Sequence, residues 1–323
     1  MTGGYRHRIL LALLILSWGI SWPLIKVGVA TVPPIWYACF RYGIAALCLF
    51  ALVAARQEAA FPPRADWPLV MVSGVFQMAG YSALTAFALT ILAPGRASVL
   101  AYSTPIWVVP LAAWWLHERA SRAALLGMGL GLLGALAIAA PALHRDGGAQ
   151  GLAYALLLGA AVSWAISIVA VRAHRFTATA LALAPWQTLV AACLLLPVAL
   201  VAEGAPRPVG VSGAASLAFV GPVATAFAYW AVVETGRHFR AGTLSMALLA
   251  TPPVGILVSA LALGETVGPS LIAGAVLIVA GIRLAVPRAK AHGKSAFALS
   301  TALSRRRCPN GAPTRPSGRR KPG

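Results

Sequence analysis

Polar and aromatic residues able to hold a small solute recur at one depth inside otherwise apolar stretches. In the first half these are Trp18 and Ser21, then Gln77, Tyr81 and Ser82, then Tyr102, Ser103 and Thr104. The second half brings Ser163, Trp164 and Ser167, then Thr225, Tyr229 and Trp230, then Ser245 and Thr251. Hydrogen-bonding groups set on aromatic walls suit a small amphipathic ligand. A lone Ser or Thr on an apolar helix has a plainer use, which is to bond back to its own backbone or to pack against a neighbour. Gln77, Tyr81 and Tyr229 are harder to satisfy locally and are the stronger candidates.

Charge inside the same stretches is sparse and therefore informative. Arg41 lies within a helix and Lys26 close to the end of the preceding one, so together they offer a positive vestibule for a carboxylate or a phosphate. Lys26 also fits a snorkelling cation. None of the seven acidic residues falls at a helix centre. Glu118 and Glu265 close two helices, where they either pair with loop arginines or act in gating. Glu234, three residues before Arg237, is the one candidate proton carrier, with a salt bridge to that arginine the plainer explanation. Pro105 and Pro252 fall near the middle of their helices, and a missing N–H leaves the carbonyls of Ala101 and Leu248 without helical partners. Backbone freed at that depth must be buried by protein or line a wet cavity, so each proline is either a packed kink or a hinge.

The elements that hold these residues are membrane helices. With 59% hydrophobic and 10% charged residues in 323, the composition excludes an ordinary soluble domain. About 20 apolar residues cover the ~30 Å hydrocarbon core. Spans fall at roughly 9–30, 34–54, 67–91, 95–117 and 123–141, and then at 150–172, 179–201, 213–234, 242–264 and 269–286. These are helices 1 to 10, in two sets of five. The stretch from Gly95 to Glu118 is answered 147 residues later by Gly242 to Glu265, with the Gly, the Thr-Pro and the closing Glu in register. SWGIS from Ser17 matches SWAIS from Ser163, and Gly74, Gly127 and Gly134 meet Gly221, Gly274 and Gly281 at the 147 offset. An almost constant register, 146 or 147 residues across five helices, marks a duplication. An odd number of spans per copy makes the second copy enter from the opposite side, so the expected fold is an all-α membrane protein of ten transmembrane helices in two inverted five-helix repeats.

Basic residues orient the bundle, since short cytoplasmic loops collect Lys and Arg. With the N-terminus inside, the inner ends hold Arg6, Arg8, Arg56, Arg64, Arg119, Arg122, Arg172, Arg175, Arg237 and Arg240, against Arg96, Arg145 and Arg207 outside. Much of the net charge of +19 is thus topology rather than a nucleic-acid surface. Residues 1–8 read as a cytoplasmic N-terminus, 9–141 and 150–286 as the two repeats, and 287–323 as a disordered basic cytoplasmic tail able to meet anionic lipid headgroups. The first apolar run continues without a cleavage pattern and reads as an uncleaved helix. Cys39, Cys48 and Cys193 lie in spans and Cys308 in the tail, which suggests no disulfide frame. Gly127, Gly131 and Gly134 on helix 5, with Gly274 and Gly281 on helix 10, permit close backbone packing, within the chain by default or across a homodimer seam.

Taken in order, these motifs resemble the EamA family of the drug/metabolite transporter superfamily. The resemblance rests on W-G-x-x-W with a following basic residue (Trp18, Gly19, Trp22, Lys26), on the Phe40-Arg41 pair, and on a central Pro followed 13 residues later by Glu in helices 4 and 9. It covers residues 9–286 and not the tail. It implies a ten-helix bundle around a central cavity that moves small metabolites, often amino acids or related compounds, by alternating access. Helix 1 lacks the carboxylate on which the related small multidrug resistance pumps depend, so their proton exchange is not implied.

The expected function is therefore secondary transport, as an exporter or exchanger of small organic solutes or drugs in the cell (inner) membrane, with both termini cytoplasmic and helices 1, 3, 4, 6, 8 and 9 around the path. The expected partners are the bilayer and the solute, with no nucleic acid, cofactor or metal. A phosphorylated dianion fits poorly where so few cations reach the midplane. A non-transporting receptor or scaffold is the rival, since a fold does not fix a function. An intramembrane enzyme is disfavoured: the sequence has no H-E-x-x-H, no paired intramembrane Asp and no G-x-S-x-G, and its six histidines fall in loops, ends or the tail.

Overall fold

The structure, a computed structural model, describes residues 3–57, 61–143, 148–174, 177–239, 244 and 247–285. The basic tail lies outside these residues, as do Arg145, Arg175, Arg240, Gly242, Ser245 and Cys308. The described chain is helical. α1 is Gly3–Val29 and α2 Pro34–Ala55; α3 covers 67–91 and α4 covers 94–115, in two pieces. α5 is Arg122–Leu143, α6 Ala149–Ala173 and α7 Ala180–Glu203. α8 covers 211–238, and Thr251–Leu263 and Pro269–Ala285 are α9 and α10. Eight of these are long and apolar enough to cross a membrane, and α9 and α10 are shorter apolar helices. α1 begins before residue 9, so much of the N-terminal segment is a continuation of the first helix rather than a separate tail.

Prolines open α2, α4 and α10, where the absent N–H costs nothing. Thr179 caps α7 by accepting from the Ala182 N–H at 3.1 Å. Gly204 and Gly264 follow α7 and α9 at φ values of 76° and 65°, which only glycine adopts freely.

The packing partners come in reciprocal sets. α2 lies along α7 and α5 along α10; α1 packs on α8 and α9, while α6 packs on α3 and α4. The α5–α10 seam is a backbone contact. A Cβ on Gly134 would meet the Gly274 carbonyl at 2.7 Å, and one on Gly281 would meet the Gly127 carbonyl at 2.5 Å and the Gly131 nitrogen at 2.8 Å. The glycine faces are thus used inside the chain. Outward-facing side chains remain apolar, as Leu47 (73% exposed), Leu126 (64%) and Val276 (61%) illustrate, a surface suited to lipid tails.

Two features depart from uninterrupted helices. α3 widens to π-helical turns over Ser73–Gly80 and α8 over Pro222–Phe227. These stretches lie at the repeat offset from one another, and π turns inside α-helices tend to mark functional sites. α4 breaks instead of merely kinking: its first piece ends at Ala101, and after a turn at Tyr102 and Ser103 its second piece starts at Thr104 with Pro105 in the first turn. α9 likewise starts at Thr251 with Pro252 in its first turn. The interior kink expected at each proline is therefore a helix start. The Thr104 hydroxyl donates to the Ala101 carbonyl at 2.8 Å, the acceptor that Pro105 leaves vacant.

Candidate functional site

Trp164 of α6 is the hub of the aromatic cluster. Its ring stands edge-on to Tyr81 at 5.1 Å, to Tyr102 at 6.2 Å and to Trp18 at 6.5 Å between centroids, and Tyr102 reaches on to Trp22 at 6.4 Å. Helices α1, α3, α4 and α6 thus converge through side chains that the sequence places on separate spans. T-shaped contacts set the positive edge of one ring against the negative face of the next. Thr251 sits beside the Tyr102 hydroxyl and brings the start of α9 to the same place.

The π turns supply the polar groups. Gln77, within the α3 widening, donates through Nε2 to the Tyr229 hydroxyl at 3.2 Å and accepts from the Ser167 hydroxyl at 3.0 Å. One carbonyl in each widened turn also accepts from the first helix of the opposite half. The Trp18 indole N–H donates to the Ala224 carbonyl in α8 at 3.1 Å, and the Ser163 hydroxyl donates to the Phe76 carbonyl in α3 at 2.7 Å. Arg41 donates through Nε to Thr225 Oγ1 at 2.8 Å, and that threonine in turn donates to the Val220 carbonyl at 2.8 Å. The guanidinium carbon lies 5.3 Å over the Tyr42 ring, within cation–π range. Tyr42 and Ser82 share a 2.7 Å hydrogen bond, and Arg41, Tyr37, Ser82 and Thr85 line a narrow cleft.

Other sequence candidates have other occupations. Ser21 donates to the Trp18 carbonyl at 2.7 Å and Thr104 to that of Ala101, so both back-bond to their own helices. Trp230 leaves the aromatic hub and packs beside Phe227, with Arg56 5.4 Å over its ring. Its indole N–H is buried without a hydrogen-bond partner. A cavity of about 330 Å³ opens between α4, α9 and α10, lined by Val99, Tyr102, Pro252, Ala275, Ile278 and Arg283 among others. It is a largely apolar slot, and of the predicted set it touches Tyr102 and Pro252.

The acidic residues sit at helix ends. Glu265 Oε2 accepts from the Gly95 N–H at 2.8 Å, at the start of α4, within the electrostatic reach of Lys26. Lys26 Nζ donates to the Thr90 carbonyl at 3.3 Å. Glu118 pairs with Arg172 at 2.6 Å, with both side chains nearly half exposed. Glu234 lies apart from the aromatic hub, facing His7 and His238.

Two carboxylates of structural weight escaped the sequence reading. Asp66 is fully buried before α3 and accepts from the Thr177 N–H, the Thr177 hydroxyl (2.9 Å) and the Ala178 N–H (2.8 Å), with His174 Nε2 at 2.9 Å. It therefore caps the approach to α7. Glu203, at the end of α7, accepts from the N–H groups of Ile35 and Trp36 at 2.9 Å each and so caps α2. Each half closes a helix start of the other, and no local motif announces either pairing.

Comparison with known proteins follows the same division into halves. The EamA-like transporter family matches residues 7–140 and again residues 151–286. A probable amino-acid metabolite efflux pump of Salmonella typhimurium is 28% identical, over 85% of this chain and 92% of its own. A probable terminal-alkyne amino-acid exporter of Streptantibioticus cattleyicolor is 29% identical, over 85% of this chain and 91% of its own. A solved crystal structure is similar at a TM-score of 0.60 and 24% identity, covering 87% of this chain and 97% of its own, a likeness of fold alone.

Proposed function

The chain belongs to the EamA-like transporter family, and from that premise we propose that it is a secondary transporter that exports or exchanges small amino-acid-like metabolites by alternating access. The observation that carries this reading is the matched pair of π turns, in α3 and α8, which bring Gln77, Tyr229, Thr225 and Arg41 together beside the Trp164 hub. Arg41 receives the substrate carboxylate: Nε is committed to Thr225, and the outer nitrogens of the guanidinium form the fork that suits a planar anion. Gln77 and Tyr229 receive the polar substituent, and Trp18, Tyr81, Tyr102 and Trp164 form the apolar wall. Relatives named as a probable amino-acid metabolite efflux pump and a probable terminal-alkyne amino-acid exporter support this substrate class.

On this reading the two halves are inverted five-helix repeats, making ten spans. The reciprocal helix contacts support this, because α1 on α8 and α9 answers α6 on α3 and α4. Each acidic contact also joins ends that an up-and-down order puts on one face: Glu203 with α2 and Glu265 with α4 outside, Asp66 with α7 and Glu118 with α6 inside. The arginine distribution supports cytoplasmic termini for a protein of the cell (inner) membrane. The Glu265–Gly95 contact is an outer latch, Glu118–Arg172 an inner tie, and Pro105 and Pro252 start the half-helices that swing.

Reconstitution in liposomes with radiolabelled amino acids and apolar amino-acid analogues tests the reading. The protein exchanges at least one carboxylate-bearing solute, and Arg41→Met lowers that exchange at least tenfold while reaching the membrane in normal amount. A folded protein inert to the whole panel, or an Arg41→Met variant with undiminished exchange, overturns it.

A further inference from the structure

His7, near the start of α1, meets Glu234 and His238, one turn apart at the end of α8. His7 Nε2 and His238 Nδ1 each lie 4.0 Å from Glu234 Oε1, and the two imidazoles stack with centroids 3.3 Å apart at an interplanar angle of 23°. One ligating atom from each of the three side chains lies within 4.8 Å of the other two. From this geometry we propose a transition-metal site that joins α1 to α8 and takes a borderline divalent cation such as Zn²⁺.

Three independent features point there. The donor set, two imidazoles and a carboxylate, is one that zinc accepts, with an open position left for water. The three ligating atoms lie within 4.8 Å of one another, and the corners of such a triangle stand at most about 2.8 Å from its centre, against metal–nitrogen bonds of roughly 2.0–2.1 Å, so each ligand needs to close by less than about 1 Å. The tautomer of His238 is also set. Its Nδ1 lies 2.9 Å from the Glu234 carbonyl oxygen, which can only accept, so Nδ1 carries the proton and Nε2, rather than the nitrogen 4.0 Å from Oε1, presents its lone pair. A ring N–H given to a backbone carbonyl is the usual outer support of a metal-bound histidine. The side chains are between 21% and 43% exposed, which lets an ion reach them from the aqueous face. The site is distinct from the Trp164 hub and does not depend on which solute is carried.

Equilibrium dialysis of the full chain tests this, using protein purified in detergent through a tag without histidine and titrated with Zn²⁺, with bound metal read by mass spectrometry. The expected result is one zinc per chain, at least tenfold weaker binding in His7→Ala/His238→Ala, and unchanged binding in His117→Ala. Co²⁺ in place of Zn²⁺ gives a visible absorption band in the wild type that Glu234→Gln weakens or shifts, a readout that survives if the double variant folds poorly. Absence of zinc above the buffer level, or stoichiometric binding that the histidine and glutamate variants leave intact, overturns the proposal.

Discussion

Glu265→Gln separates the electrostatic part of the outer latch from its shape. The glutamine carbonyl can still accept from the Gly95 N–H, which the carboxylate holds at 2.8 Å, so the contact survives without its charge. A hydrogen bond to a charged acceptor contributes about 1 kcal/mol more than a neutral one, and a negative charge at a helix start adds about 0.3–1 kcal/mol. The other carboxylate oxygen, Oε1, is buried with no hydrogen-bond partner and so gives nothing back. The variant therefore weakens the outward-closed arrangement by roughly 1–2 kcal/mol, which is about a five- to thirtyfold shift in population. The assay is labelling by a membrane-impermeant maleimide of a single cysteine placed at Ser98, which is buried beside the latch, in a background freed of the four native cysteines. Labelling from the outside should rise five- to thirtyfold in Glu265→Gln. The inner tie serves as the contrast: Glu118 and Arg172 are 48% and 45% exposed, an exposed pair contributes less than about 1 kcal/mol, and Glu118→Gln should change labelling less than fivefold. Equal labelling of wild type and Glu265→Gln, or a fall in the variant, refutes the latch.

Tyr229→Phe removes the acceptor for Gln77 and should weaken apparent substrate affinity by about 2- to 12-fold, with a non-additive effect when combined with Gln77→Leu in a double-mutant cycle read by exchange in liposomes. Gly274→Ala places a methyl group 2.6 Å from the Gly134 carbonyl and should cost about 1–3 kcal/mol, seen as a lower melting temperature in detergent. Gly129→Ala meets nothing within 4 Å and should leave melting unchanged or raise it. Asp66→Ala strips the acceptor from Thr177 and Ala178 and should cost about 2–4 kcal/mol, lowering both the melting temperature and the yield of folded protein.

The helices and the duplication were legible because apolar length and a fixed register survive in composition. Trp18, Tyr81, Tyr102 and Trp164 were found as residues at one depth, and the structure joins them. Trp230 was grouped with them because it neighbours Tyr229 in the chain, yet one residue turns about 100° around a helix and carries it to another face. Ser21 and Thr104 are polar residues that serve their own backbones, an option every serine and threonine has. The π turns left little trace: a widened turn barely disturbs apolar periodicity, and only Pro222 in α8 hinted at one. Pro105 marked the right place but not the form, because Thr104 satisfies the orphaned carbonyl and lets the helix restart. Asp66 and Glu203 were invisible because their partners lie more than 100 residues away.

The crossed caps have a consequence for biogenesis. The start of α2 waits for a carboxylate that the ribosome adds 168 residues later, and α7 docks on one laid down long before it. Until Glu203 arrives, the amides of Ile35 and Trp36 must be met by water or by lipid headgroups. Neither half can complete its caps without the other, and co-expressing the halves as separate chains should rescue each from proteolysis.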